Sequence, residues 1–185
     1  MGRAHGFPDP LSQRRAGLDD RFGHAQFHRN RNDRQGAIVS TREITLVRHF
    51  DAPRELVFQA WLDPAQLTQW SGPDGFTCPP DSFVVEPHAG GRYDAVMVSD
   101  TDGASYPTRG VFREVDEPER LVFTWGDPTG DGSPERESVI TVTFEETASD
   151  KTTMTFHLLA PGSLSAEDGA REGWSQTLDR LVALF

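Results

Sequence analysis

The residues in this chain that are best placed to do chemistry are aromatic, because the usual reactive sets are missing. The 185-residue sequence contains no Gly-x-Ser-x-Gly, no phosphate-cradling glycine loop and no His-Glu-x-x-His, and its only cysteine is Cys78. Asp127, Thr129, Asp131 and Gly132 have the spacing of a calcium loop. The twelfth position, however, is Ser138 where a bidentate glutamate is needed, and Pro128 interrupts the run, so an ordinary acidic hairpin loop is expected. His24 and His28 are four residues apart, but two ligands without a third make a poor metal site. No metal, cofactor or catalytic residue is therefore assigned.

The candidate binding residues are Trp61, Trp70, Phe76, Tyr93, Trp125 and Trp174, with Met97 and Met154 as adaptable walls. Large aromatics fill cores in most folds, and plain packing is the ordinary account of each one. The alternative is that several line a small-molecule site, which is typically apolar with a few polar tips; Tyr93 and the indole donors of Trp70, Trp125 and Trp174 would orient a ligand. The polar candidates are weaker. His157 has the parity of an outward position, and His49 and His88 fall at strand ends. Arg92, beside Gly90 and Gly91, suits an ion pair with an aspartate or an acidic ligand, and Cys78 has no activating base nearby in sequence.

The elements that must position these residues follow from periodicity. Glu43 to Phe50 alternates, with Ile44, Leu46 and His49/Phe50 against Thr45, Val47 and Arg48, as a first strand. Asp51 and Pro53 suit a helix start, and Leu56, Val57, Ala60 and Trp61 form a helical stripe; a second short helix covers Ala65 to Trp70. Strands are predicted at Ser82 to Glu86, Arg92 to Ser99, Tyr106 to Val115, Arg120 to Trp125, Ser138 to Glu146 and Thr152 to Leu159. From Ser165 to Phe185 the apolar residues Ala170, Trp174, Leu178, Leu181, Val182 and Phe185 recur at spacings of three and four, which marks an amphipathic helix. Ser165 and Asp168 are a plausible start, although Gly169 and Gly173 put the firm part near Ala170. The expected class is α+β: a curved antiparallel sheet of about seven strands, packed on one face by the C-terminal helix, with two short helices after the first strand.

Composition bounds the rest. Residues 1–40 hold seven arginines and four acids, giving about +3, while 41–185 hold eleven basic and twenty-five acidic residues, giving about −14. So acidic a body repels phosphate backbones and argues against nucleic acid as the main partner. Residues 1–40 show no sustained period and are expected to be a disordered tail, or an artefact of a translation start placed upstream of one near Val39. Residues 41–185 are expected to be one domain. There is no run of eighteen apolar residues and no secretory apolar stretch, and a lone cysteine fits a reducing compartment, so a cytoplasmic location is expected.

Several stretches, taken together and in order, carry a family resemblance. Phe50 to Phe58, Ala60-Trp61, Asp63-Pro64 and Trp70 come first. They are followed by Gly90 to Tyr93, Tyr106-Pro107, Gly110 to Glu114, Pro118 to Trp125, Val142 to Phe144, Gly173-Trp174 and Leu178 to Leu181. Over 41–185 the chain resembles the SRPBCC superfamily (the START/Bet v 1-like proteins), in the branch named for the activator of Hsp90 ATPase. The resemblance implies a helix-grip fold with an elongated cavity between sheet and helix. One departure is that Trp70 is followed by Ser71 where relatives often carry a second tryptophan, which is expected to widen or wet the mouth. The implied function is binding of a hydrophobic or aromatic small molecule, with a second copy of the chain as an optional partner and no membrane. A polyketide cyclase or aromatase-like enzyme and an Hsp90-type partner regulator are the alternatives.

Overall fold

The computed structural model of the chain describes residues 41–126, 137–161 and 169–185. The expected tail 1–40, the calcium-like stretch from Asp127 to Gly132, and the Ser165 and Asp168 helix start lie outside those residues. Nine strands and three α-helices are described, against the seven strands expected from the sequence. Their order is β1 (Thr41–Phe50), α1 (Arg54–Gln59), α2 (Pro64–Trp70), β2 (Phe76–Thr77), β3 (Val84–Val85), β4 (Tyr93–Ser99), β5 (Ser105–Thr108), β6 (Phe112–Asp116), β7 (Arg120–Trp125), β8 (Ser138–Ala148), β9 (Lys151–Pro161) and α3 (Ala170–Val182).

Five strands form an antiparallel sheet in the order β1-β9-β8-β7-β6, and β2, β3 and β5 flank β4 in a smaller one. Alternation explains the layering. Ile44, Leu46, Phe123, Ile140, Val142, Phe144, Met154, Phe156 and Leu158 are buried on the concave face, while Thr45, Thr141, Thr143, Thr153 and Thr155 project from the other. His157 follows the outward parity and lies 3.9 Å from Glu43.

The expected single strand from Tyr106 to Val115 is two strands, broken where the sheets are stitched together. There Tyr93 N donates to Gly110 O at 2.9 Å, Thr124 N to Val111 O at 3.0 Å, and Val111 N to the Thr124 hydroxyl at 2.9 Å. Gly110 permits this approach, since a Cβ on it would stand 2.0 Å from the Thr124 carbonyl oxygen. The expected strand from Ser82 is likewise cut to Val84–Val85, because Pro80–Ser82 forms a 3₁₀ turn ahead of it.

The short helices close one end of the curled sheet. Asp63 caps α2, its carboxylate accepting from Ala65 N at 2.9 Å. Asp51 does not cap α1: Pro53 takes that position without a side-chain cap, and Asp51 pairs with Lys151 instead. The stripe of α1 keeps Val57, Ala60 and Trp61 inward as expected and exchanges only Leu56 for Phe58. Val57 and Phe58 are buried and Leu56 is 53% exposed, because Phe58 has to reach Phe144, whose ring centroid is 5.4 Å away.

Helix α3 starts at Ala170, as its glycines imply, and ends at Val182, so Phe185 lies past its end, 38% exposed but edge-on to Phe50 at 5.7 Å. Leu178 and Leu181 are fully buried beneath it. Two arginines fix its position. Arg48 was expected on the outer face with Thr45 and Val47, yet its register opposite Met154 puts it on the concave side. Its Nε donates to Asp179 at 2.8 Å, and its Nη2 to the Ser175 hydroxyl and carbonyl at 2.8 and 3.2 Å. A charged type reads as solvent-facing by alternation, but the long arginine stem packs along apolar surface while its head finds partners. From the other side, Arg180 donates to Gly72 O at 2.8 Å and Phe76 O at 3.3 Å, and Gln176 accepts from Asp74 N at 3.2 Å.

Three stability outcomes follow. Arg48→Ala should lose about 2 kcal/mol by urea unfolding, since its partners include charged and backbone groups. Asp179→Ala, at a residue whose carboxylate is mostly exposed, should lose under about 1 kcal/mol. Equal losses would contradict this assignment. Gly110→Ala should cost about 3 kcal/mol or more through the forced separation of strands, and an unchanged urea midpoint would contradict it.

Candidate functional site

The concave face and α3 meet through aromatic rings. Phe156 of β9 stacks on Trp61 at 6.3 Å and lies 4.6 Å from Trp174 of α3. Trp174 meets Trp125 of β7 edge-on at 6.1 Å, Trp125 lies 6.5 Å from Phe123, and Phe123 lies 6.2 Å from Trp61. These five rings form a closed circuit running through the α1–α2 junction, β9, α3 and β7. Tyr93 joins it from β4, with centroids 4.6 Å from Phe123, 5.1 Å from Phe112 and 6.0 Å from Trp125.

Of the residues expected from the sequence, the structure brings Trp61, Trp70, Tyr93, Trp125 and Trp174 into this assembly. Trp70 sits behind Trp61 at 4.8 Å and its indole donates to Ala60 O at 3.0 Å, which ties α2 to α1. Trp61 and Trp70 are almost wholly buried, whereas Trp125 and Trp174 are only partly buried, at the side where the helix and β7 meet. Met154 is fully buried between its strand neighbours Phe144 and Arg48. Phe76 and Met97 belong to the smaller sheet: Phe76 is edge-on to Tyr106 at 5.7 Å, and Met97 pairs with Tyr106 across the β4–β5 register. Phe112, Phe123 and Phe156 were not among the candidates. Strand alternation alone puts Phe123 and Phe156 inward, so the signal was available.

The polar groups divide cleanly. Arg92 is exposed and pairs with Asp94, which Arg109 also approaches at 3.7 Å. His49 hydrogen-bonds the Thr153 hydroxyl at 3.0 Å on the surface, and His88 lies against Ala89 O. Tyr93 alone among these candidates faces the aromatic assembly, and burial drives its phenol pKa well above the ordinary value, so it keeps its proton at neutral pH and is no base. Among the described residues no three metal-ligating side chains converge. No described helix is long and apolar enough to cross a membrane.

The comparisons agree with this architecture. A sequence profile of the activator of Hsp90 ATPase homolog 1-like proteins matches residues 51–185. The chain belongs to that family. Among solved structures, a protein from Chromobacterium violaceum shares 27% identity at a TM-score of 0.66, with 77% of this chain and 95% of that chain covered. One from Nitrosomonas europaea shares 26% at 0.65, covering 77% and 92%. The AHSA1 protein of Silicibacter pomeroyi shares 27% at 0.62, covering 77% and 96%. No curated protein matches the chain in sequence. Family membership gives a helix-grip domain of the ligand-binding type, and the sheet order, the end-closing helices and α3 described above are its parts.

Cys78, buried on the loop that follows β2, tests how dry this family member is beside α2. Burial pushes its thiol from the ordinary 9.0 up to about 11, against a smaller opposing pull from the Arg180 charge. The folded state thus holds the thiol proton more tightly than the unfolded chain does. Its contribution to stability is complete below pH 9.0 and is lost as pH rises towards about 11. Cys78→Ala should flatten the fall in stability over that window, and native protein should react with a thiol-specific disulfide reagent about a hundredfold more slowly than urea-unfolded protein. Equal rates would contradict the burial.

Proposed function

We propose that the space between α3 and the concave face takes a small hydrophobic or aromatic molecule, and that Trp125 and Trp174 are its entrance. The observation that carries this is their contact. One ring comes from the sheet and the other from the helix; they meet at 6.1 Å, and both stay partly exposed although they join a core of fully buried rings. Helix α3 lies mainly against β1 and α2, so on the β7 side the junction between helix and sheet is made by side chains. Side chains can part by rotamer changes without unfolding a helix. The walls inward of that pair are Phe123, Phe156, Trp61 and Tyr93, apolar surfaces that favour a ring or hydrocarbon body over water.

Binding also fits the polar inventory better than turnover does. Acid–base catalysis needs a base near a donor, and of Tyr93, Arg92 and the described histidines His49, His88 and His157, Tyr93 alone points inward. The aromatic walls would hold and orient a guest without a proton acceptor beside it.

In native mass spectrometry, full-length protein is expected to carry one small apolar molecule per chain. In a thermal-shift screen of lipids and aromatic metabolites, a binder at about a hundred times its Kd stabilises by about 2.7 kcal/mol, enough to raise Tm by several degrees. Trp174→Ala should keep the fold and lose most of that rise. A broad library that leaves Tm unmoved, with no co-purifying species, would overturn the proposal.

A further inference from the structure

The Trp61 indole is 1% exposed, yet its Nε1–H is a buried donor with no acceptor among the described residues. Trp70, its nearest ring neighbour, meets the same requirement by donating to the Ala60 carbonyl. Buried donors are almost always paired, because stripping water from an N–H without replacing its partner is unfavourable. Trp61 is therefore an exception in a core whose other inward groups are mostly hydrocarbon. A second donor lies close by. No hydrogen bond joins the Tyr93 hydroxyl to another described residue, although Tyr93 is only 6% exposed. Both rings pack on Phe123, with centroids 6.2 and 4.6 Å from it.

The charges on this side of the sheet are already engaged. Arg48 is held by Asp179 and Ser175, and Arg180 by the carbonyls of Gly72 and Phe76. A carboxylate brought in here would lose its water and face donors that are neutral.

We propose that the molecule bound between α3 and the sheet is uncharged and carries a hydrogen-bond acceptor, such as a ketone or ester carbonyl, on an otherwise apolar body, with Trp61 Nε1–H and the Tyr93 hydroxyl as the donors that orient it. This rests on the ligand-binding reading above and adds the polarity of the guest. The Trp61 donor is already desolvated before binding, so an acceptor gains a partner without the usual loss of water from the protein side. The same donor penalises a pure hydrocarbon, which would keep it unpaired.

The test uses a matched pair of probes on the full-length chain, benzophenone and diphenylmethane, which differ by a carbonyl in place of a methylene, together with 4-benzoylbenzoate as the charged analogue. Benzophenone should bind about tenfold tighter than diphenylmethane, and 4-benzoylbenzoate should bind more weakly than benzophenone. In nitrogen-15 spectra the Trp61 indole proton, assigned with Trp61→Phe, should move downfield with benzophenone and stay in place with diphenylmethane. Tyr93→Phe should narrow the preference, which supplies a second readout should Trp61→Phe fold poorly. Equal binding of the two neutral probes with an unmoved indole signal would overturn the acceptor while leaving an apolar site. An indole proton shifted upfield, as for an N–H turned onto the Trp70 ring face, and indifferent to benzophenone would do the same. Tighter binding of the carboxylate would overturn neutrality, and binding of none of the three would overturn this inference together with the site on which it rests.

Discussion

The attachment of α3 to the curled sheet is the constraint on which the rest of the molecule depends. Burial of Leu178 and Leu181 supplies an undirected attraction, which would hold the helix at many angles. Arg48 and Arg180 remove that freedom. One ties the middle of the helix to an edge strand through Ser175 and Asp179, and the other ties the same stretch to the carbonyls that follow α2. With the helix pinned along β1 and α2, its N-terminal half carries Trp174 out over β9 and β7, where it closes the ring circuit with Phe156 and Trp125.

That division of labour separates a fixed aromatic floor from the rings that border it. Trp61, Trp70, Phe123 and Phe156 are fixed by mutual edge and face contacts, each worth about 0.5–1.5 kcal/mol beyond simple burial. They form a rigid floor. Trp125 and Trp174 close the layer with partly exposed rings, and the Trp61 indole N–H is a buried donor without an acceptor among the described residues. The Gly110 approach matters for the same reason: by letting β4 and β7 come together across one residue, it sets the curl that delivers Tyr93 to the face where Phe123 and Trp125 sit.

Much of this was legible in the sequence because alternation and helical spacing are themselves consequences of burial. The β7, β8 and β9 strands and the start of α3 at Ala170 follow from it directly, and so does the outward parity of His157. What sequence reasoning lost were places where one residue obeys a distant partner. Arg48 looks like a surface charge until a helix 127 residues further along the chain supplies Ser175. Asp51 looks like a cap until Lys151 takes it, and Leu56 looks buried until Phe144 draws in Phe58 in its place. The break at Gly110 is invisible to a strand pattern, since it depends on Thr124 lying 2.0 Å from where a side chain would start. The candidate aromatic site was half legible: Trp61, Tyr93, Trp125 and Trp174 stand out by type, but the Phe123 and Phe156 that join them read as ordinary core.

The central physical claim is that apolar space lies between the Trp125–Trp174 pair and the ring floor beneath it. Xenon enters dry apolar voids and is seen directly by its anomalous scattering. Crystals of the full-length protein held under xenon should show an ordered atom bounded by Trp125, Trp174, Phe123 and Phe156. Crystals that take up xenon elsewhere, or not at all, would show the layer to be solid packing and would contradict the account.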